Sequence, residues 1–228
     1  MPSIDNANQN LVDRLTRADS WLCAASALET NRDPKEIDAQ TAFLYRYIAF
    51  NGLYGLWKCQ DSNRKTREQI DRFFDNILTL HSEDRQQKGV ILRSALAQCQ
   101  SYWLQLIENE FLDNGYWAVE EHRPGFKEKY RSAKYRALQG LSQQDYKDLF
   151  HFIFSRIVVL RNQIVHGCAT FGRTSLGWRS VEAANPVLRA LIPAFHLLMT
   201  QYSGSVTWPP IPYPRRGSEQ HPKRPLGT

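Results

Sequence analysis

The stretch of sequence that decides the fold is Ser142–Gly167, SQQDYKDLFHFIFSRIVVLRNQIVHG. Its apolar residues recur every three or four positions, which is the spacing of one face of an α-helix. This stripe consists of Tyr146, Leu149, Phe150, Ile153, Ile157, Leu160 and Ile164. Ser142 and Asp145 have the spacing of a capping box, so Ser142 is the predicted N-cap. Gly167 is the predicted stop, since glycine favours the turn that ends a helix.

Helical spacing recurs in five further stretches, and it predicts one all-α domain over residues 1–203. The stretches are Leu11–Leu28, Ala42–Trp57, Thr66–Leu80, Val90–Phe111 and Val181–Tyr202. Pro186 and Pro193 interrupt the last stretch, so we expect a bend at its start or in its middle. Neither an internal repeat nor an alternation long enough for a sheet is visible in the chain.

Composition narrows the class of protein. The chain has 228 residues, of which 42% are hydrophobic, and this is too apolar for a disordered protein. Charged residues interrupt every apolar run before it reaches the length of a membrane span. The first residues resemble no secretory signal, so the expectation is a cytoplasmic protein without a membrane partner.

The last segment, residues 204–228, has a different composition. Six of the eleven prolines fall here, together with four Lys or Arg residues and one Glu, and no periodic apolar face is present. This composition predicts a basic, proline-rich tail that is extended and solvated.

Positive charge is concentrated before the deciding helix. The whole chain has 29 Lys and Arg against 23 Asp and Glu, and residues 123–140 contain six basic residues against one acidic residue. Tyrosines interleave with these charges, as in surfaces that bind single-stranded RNA, so Arg131, Lys134 and Arg136 are predicted substrate contacts. Arg173 is a further predicted contact. The alternative is a solvated helix face whose long side chains cover apolar surface.

Three residues at the end of the deciding helix have the chemistry to handle a phosphate. Arg161 offers a planar fork of donors that matches phosphate oxygens, and His166 can exchange a proton near neutral pH. Five residues of helix separate them by about 140° around the axis, so they need a shared cleft or a second chain to reach one phosphate. Asn162 lies one turn before His166 and is predicted to hold the imidazole or a substrate oxygen. Alternatively, Arg161 and His166 merely complement the helix dipole.

Two segments resemble the HEPN (higher eukaryotes and prokaryotes nucleotide-binding) superfamily. Arg161-Asn162-x-x-x-His166 matches the R-polar-x3-H form of the family's Rx4-6H motif, and it ends a long apolar helix as that motif does. Tyr47–Tyr54, YIAFNGLY, resembles the aromatic W/Y-x-A-F-N-x-L-Y helix of large prokaryotic HEPN families, including Apea-like ones.

The resemblance implies an up-and-down helical bundle, often a homodimer in which the motifs of two chains face one cleft. It also implies a metal-independent endoribonuclease that leaves 2′,3′-cyclic phosphate ends and serves as a toxin or an antiviral defence effector. Arg161 would stabilise charge on the phosphorane, His166 would activate the 2′-OH or protonate the leaving 5′-oxygen, and Asn162 would orient one of these groups. An antitoxin or another regulatory protein is an implied partner. Family toxins with nucleotidyltransferase antitoxins often continue the motif as H-x-Y, whereas this chain has Cys168 in place of the Tyr.

Metal and cofactor chemistry has no signature in the sequence. The four cysteines form no CxxC pair, and no phosphate-binding glycine loop is present. We therefore expect no metal and no cofactor. The alternative function is a non-catalytic helical module that binds RNA, a nucleotide or a regulatory protein, in which Arg161 and His166 would form a binding or capping pair.

Overall fold

The protein is described by a computed structural model over residues 4–30, 36–55, 62–87, 89–117, 125–167 and 176–209. Eight α-helices and one 3₁₀ turn account for most of these residues. They are α1 (Ile4–Glu29), α2 (Glu36–Tyr54), α3 (Ser62–Gln87), α4 (Ile91–Gln98), α5 (Gln100–Glu108), the 3₁₀ turn (Glu110–Leu112), α6 (Phe126–Gln143), α7 (Lys147–Val165) and α8 (Leu176–Gln201). No strand occurs within the described ranges, so the all-α prediction is confirmed for them.

The predicted apolar stripe of α7 lies in the centre of the core. Its members from Tyr146 to Leu160 are buried, and only Ile164, the last of them, is partly exposed. Phe154 of α7 contacts Phe50 of α2 with 4.5 Å between ring centres, and Phe150 stacks on Phe74 of α3 at 5.4 Å. Aromatic pairs at such distances stabilise a core beyond the area that they bury.

Helices α1 and α2 pack antiparallel. The guanidinium of Arg14, early in α1, donates 2.7 Å to the carbonyl of Leu53 at the end of α2. Glu29, the last residue of α1, forms a bidentate pair at 2.6 Å with Arg46 in the middle of α2. Helices α3 and α6 both pack against α7, and α8 contacts α2, α4 and α5. Other helices thus pack against α7 on several sides, up to its last turn.

The capping box predicted at Ser142 is wrong. Ser142 lies in the last turn of α6, where its hydroxyl donates to Gln139 O at 2.7 Å. α6 ends at Gln144 in the left-handed conformation (φ 56°), and Asp145 N–H donates 2.9 Å back to the carbonyl of Gly140. A Cβ at Gly140 would lie only 2.3 Å from Asp145 O, so glycine permits this return of the chain. α7 begins after Tyr146, with Asp145 accepting from Lys147 N–H at 3.2 Å.

The single helix predicted over Val90–Phe111 is divided at Cys99, which has φ −111° and ψ 21°. The indole of Trp103 donates 3.0 Å to the carbonyl of Leu96. In a continuous helix that carbonyl would accept from the N–H of Gln100, so the side chain of Trp103 competes with the helix at this point. The remainder of the stretch forms α4, α5 and the 3₁₀ turn.

Four other helices differ from their predicted limits. α1 covers Ile4–Glu29 rather than Leu11–Leu28, and α3 covers Ser62–Gln87 rather than Thr66–Leu80. α2 covers Glu36–Tyr54 and so begins before the predicted Ala42, while the predicted end at Trp57 lies outside the described residues. α8 is one continuous helix that contains both Pro186 and Pro193, and it starts before the predicted Val181.

The first residues of the predicted tail pack against the bundle. Trp208 is 3% exposed, and its ring lies 6.1 Å from that of Phe73. Asn10 donates to the carbonyl of Trp208 at 3.2 Å, and Arg14 donates to the carbonyl of Pro209 at 2.7 Å. Trp208 is therefore a core residue, although its composition-based assignment was to a solvated tail. Residues 210–228, which include the rest of the tail, lie outside the described residues.

Candidate active site

The motif Arg161–His166 occupies the last turn of α7, as the sequence predicts. α7 ends at Val165, His166 is its C-cap, and Gly167 adopts φ +70°. Its N–H donates 3.2 Å to the carbonyl of Ile164. Residues with a Cβ seldom adopt such a φ, so Gly167 ends the helix as expected.

Arg161 is half-buried and is held by two contacts from different parts of the chain. Its Nη1 donates 3.0 Å to Oδ1 of Asn162, and its Cζ lies 5.4 Å from the ring centre of Tyr47 in α2. A guanidinium within about 6 Å of an aromatic face is attracted by the ring quadrupole. Burial raises the pKa of Tyr47, while its hydrogen bond with Tyr54 and the charge of Arg161 act in the opposite direction.

The contact between Arg161 and Tyr47 joins the two segments on which the family resemblance rests. Tyr47 begins the aromatic segment of α2, and Arg161 begins the motif at the end of α7. From the sequence, Tyr47 is predicted only to pack in the core. Its position at the head of the second matching segment was the signal that could have identified it.

The side chain of Asn162 bonds to Arg161. Its Oδ1 accepts from Arg161 Nη1 at 3.0 Å, and its main-chain carbonyl accepts from the His166 N–H at 2.9 Å. The long side chain of Arg161 can fold back over the next residue, which brings the two side chains together despite their different directions on the helix. Asn162 therefore positions the guanidinium.

His166 is exposed and lies just beyond the last helical residue, with φ −90° and ψ 5°. Two cavities, of about 440 and 410 Å³, lie along α5 and α8, and neither is lined by Arg161 or His166. The larger one includes Arg179, and the smaller includes Arg189. Within one chain, the motif thus presents a partly exposed guanidinium and an exposed imidazole at the surface.

The predicted substrate contacts of α6 differ in whether they already form ion pairs or hydrogen bonds with other side chains. Arg131 is exposed, whereas Lys134 forms a 2.5 Å ion pair with Glu108. Arg136 donates to Ser132 at 3.0 Å and lies 3.6 Å from the carboxylate of Asp148.

The two tyrosines of α6 also differ in their exposure to solvent. The hydroxyl of Tyr130 donates to the carbonyl of Ile107, so this ring packs on the bundle. Tyr135 is 67% exposed. Because Arg131 and Tyr135 are four residues apart on one helix, they share a face that is open to solvent.

Two residues named in the sequence analysis, Arg173 and Cys168, lie outside the described residues. Within the described ranges, no three His, Cys, Asp or Glu side chains form a group that could hold a metal ion. The helices in those ranges also include none with the length and apolarity to cross a membrane.

Comparison with known proteins returned no similar protein. No family model matches the chain, and neither a curated protein nor a solved structure is significantly similar to it. The likeness to the HEPN superfamily therefore rests on the two quoted segments alone.

Proposed function

We propose that this protein is a metal-independent endoribonuclease of the HEPN type. The observation that supports this most is the arrangement of Arg161, which Asn162 and the ring of Tyr47 hold at the end of α7, next to the exposed His166. A pre-positioned guanidinium stabilises developing negative charge without reorganising during the reaction. An accessible imidazole supplies general acid or base catalysis.

The proposed reaction is an internal transesterification of RNA. The 2′-oxygen attacks the adjacent phosphorus, the new 2′-O–P bond closes a 2′,3′-cyclic phosphate, and the P–O5′ bond breaks. One proton leaves the 2′-OH and one is added to the 5′-oxygen, so the step needs a base and an acid. Neutral His166 accepts the first proton, or its protonated form donates the second, while Arg161 stabilises the charge on the phosphorane.

A homodimer would complete this chemistry. One His166 cannot act as base and acid in the same step, whereas two copies of the chain supply two imidazoles and two guanidiniums to one cleft. A second chain would also close the gap left by the angle of about 140° between Arg161 and His166 on the helix. We propose that the enzyme acts in the cytoplasm as a toxin or an antiviral defence effector, restrained by an antitoxin or another regulatory protein.

The test is cleavage of total RNA in the presence of EDTA. We expect the wild type to produce 2′,3′-cyclic phosphate ends, and Arg161→Ala and His166→Ala each to lower the cleavage rate by about 100-fold or more. Arg72→Ala and His196→Ala are matched controls, because these residues lie on α3 and α8 away from the motif. Helical circular dichroism and melting temperature should stay near wild type in all four variants. Cleavage that persists in both motif variants would exclude this site.

The second candidate is the non-catalytic binding module. It is favoured by the exposure of His166 and the partial exposure of Arg161, since a binding surface needs no enclosed site. In this case the wild type would bind RNA, a nucleotide or a regulatory protein and yield no cleavage products. Binding of RNA without cleavage in EDTA or with added Mg²⁺ would favour this function over the nuclease.

A further inference from the structure

An exposed group of three aromatic rings lies in and just after the 3₁₀ turn, and no sequence motif predicts a role for it. We call Phe111, Tyr116 and Trp117 the aromatic platform. Phe111 and Tyr116 meet edge to face with 4.7 Å between ring centres, and Trp117 lies 5.2 Å from Tyr116. Trp117 is 60% exposed and Phe111 39% exposed, so much of this aromatic surface faces water.

Hydrogen bonds fix the orientation of the platform. The carbonyl of Phe111 accepts from the indole Nε1 of Trp117 at 2.8 Å and from Nε2 of Gln163 at 3.2 Å. Asp113 accepts from the N–H of Gly115 at 2.8 Å and from Nη2 of Arg156 at 3.1 Å. Arg156 is 1% exposed in the interior of α7, which anchors the turn to the core. The rings are therefore held open to solvent by a network rather than left there by a loose loop.

The platform is close to the proposed active site along the chain of α7. Gln163, which bonds to Phe111, lies between Arg161 and His166 in the motif. One turn of helix rises about 5.4 Å, so the contact with the platform and the exposed imidazole are less than one turn apart along the axis. An RNA strand that crossed the end of α7 would thus contact both the aromatic platform and the imidazole of His166.

The charge beside the platform suits a polyanion. The ring of Tyr116 contacts that of Phe126, the first residue of α6, at 6.0 Å between centres. The next turn of α6 exposes Lys127, Lys129 and Arg131, against one acidic residue, Glu128. Cationic side chains beside open aromatic rings are the combination by which proteins bind single-stranded nucleic acid.

We propose that the aromatic platform stacks an unpaired base of single-stranded RNA and so places the neighbouring phosphate at His166. This inference rests on the proposed function, because it names the form of RNA that the same site accepts. A second copy of this chain is a poorer occupant of the platform itself, because three partly exposed rings offer far less than the roughly 800 Å² per partner of a typical stable interface.

The test measures RNA binding in the His166→Ala background, where cleavage is prevented. The probe is a short fluorescein-labelled oligoribonucleotide of mixed sequence, used single-stranded and as a duplex. We expect Trp117→Ala to weaken single-strand binding by about tenfold and to leave duplex binding unchanged, because the bases of a duplex are already stacked. Trp117→Phe should retain most of the affinity, since it keeps an aromatic face. A wild-type circular dichroism spectrum of Trp117→Ala shows that its loss of binding does not come from misfolding.

Trp21→Ala is the matched control. Trp21 lies on α1, is 37% exposed and packs on Tyr45 at 5.2 Å rather than on a platform ring, so its removal should leave binding unchanged. Equal single-strand affinity of Trp117→Ala and the parent would overturn the proposal. A change in sedimentation coefficient in Trp117→Ala, with unchanged RNA affinity per chain, would also overturn it and would identify the platform as a contact between copies.

The outcome separates this proposal from that of the nuclease. If the wild type cleaves no RNA but Trp117→Ala binds RNA more weakly, the proposed nuclease function is contradicted and the platform remains a proposed RNA-binding site. If cleavage depends on Arg161 but the KM of Trp117→Ala is unchanged, only the proposed role of the platform is contradicted.

Discussion

At the scale of single residues, Asn162 is the side chain that the structure ties to Arg161. The sequence places it one turn before His166, and its side-chain Oδ1 accepts from Arg161 Nη1 at 3.0 Å. Arg161 has a second contact with Tyr47, so its position depends on one hydrogen bond and one aromatic face. Asn162 is in this sense a positioning residue, which acts through the guanidinium.

We predict that Asn162→Ala lowers kcat for RNA cleavage by about tenfold, because a poorly positioned guanidinium stabilises the transition state less. KM and the melting temperature should change little, since the hydrogen bond lies at the end of α7. Steady-state cleavage of a labelled oligoribonucleotide measures both constants, and Gln98→Ala, an exposed amide on α4, is the control. Unchanged kcat in Asn162→Ala would show that Arg161 keeps its position without this bond.

At the scale of elements, the end of the described chain is tied to the first two helices. Arg14 is 1% exposed and donates to the carbonyls of Leu53, Gly55 and Pro209. Burial lowers the pKa of Arg14 to about 10, so it remains charged at neutral pH. The Arg14 guanidinium thereby bonds to carbonyls at the end of α2 and also holds the segment that places Trp208 in the core.

We predict that Trp208→Ala lowers the free energy of unfolding by about 3 kcal/mol, because it leaves a cavity in a packed core. Trp117→Ala, which removes a largely exposed ring, should change it by no more than about 0.5 kcal/mol. Trp208→Phe should cost much less than Trp208→Ala, since the indole N–H of Trp208 has no hydrogen-bond partner among the described residues. Urea denaturation measures all three. Equal losses for the two alanine variants would contradict the burial of Trp208.

At the scale of the whole molecule, stability should depend on pH through a buried histidine between α3, α4 and α7. His81 is 2% exposed, its ring lies 5.3 Å from that of Tyr146, and its Nδ1 is 3.8 Å from the carboxylate of Asp84. Burial lowers the pKa of His81 below the ordinary value of 6.5, although Asp84 acts in the opposite direction. The carboxylate of Asp84 also accepts from Ile91 N–H and from the hydroxyl of Tyr202, both at 3.3 Å.

The sign of the effect follows from this lowered pKa. As the pH falls below about 6.5, the unfolded chain protonates His81 before the folded chain does, so folding loses free energy. One such proton contributes at most about 1.4 kcal/mol per pH unit. We predict that the free energy of unfolding decreases between about pH 7 and pH 5, and that His81→Phe and His81→Gln both reduce this slope. Urea titrations at several pH values test it, and a slope equal to that of the wild type in both variants would contradict a buried, neutral His81.

A second acid-sensitive contact is the ion pair between Glu29, the last residue of α1, and Arg46 of α2. Burial alone would raise the pKa of Glu29, but the hydrogen bonds and charge of Arg46, together with Arg189, outweigh it and lower the pKa below its usual value. Its contribution to stability is therefore present at neutral pH and is lost as the pH falls through the lowered value. This loss begins near the ordinary pKa of 4.5, so its onset lies at a lower pH than the onset of the His81 effect near 6.5.

The sequence alone determined what depends on neighbours in the chain. The spacing of apolar residues predicts α7 and its buried face, and Gly167 predicts its end, because both depend on residues within one or two turns. The same local pattern places Arg161, Asn162 and His166 at that end. The failed capping box at Ser142 shows the limit, since α6 runs through this possible N-cap and ends just after it, where Gly140 and Gln144 allow the chain to turn back.

Only the tertiary structure decided which distant residues meet. The contact of Arg161 with Tyr47, the burial of Trp208 and the support of Phe111 by Gln163 all join elements that are far apart in the chain. Such contacts depend on how helices pack, and no periodicity in the sequence specifies a partner across the core. Exposure has the same origin: Trp117 and Trp208 are chemically identical, and the packing around each one makes the first a surface ring and the second part of the interior.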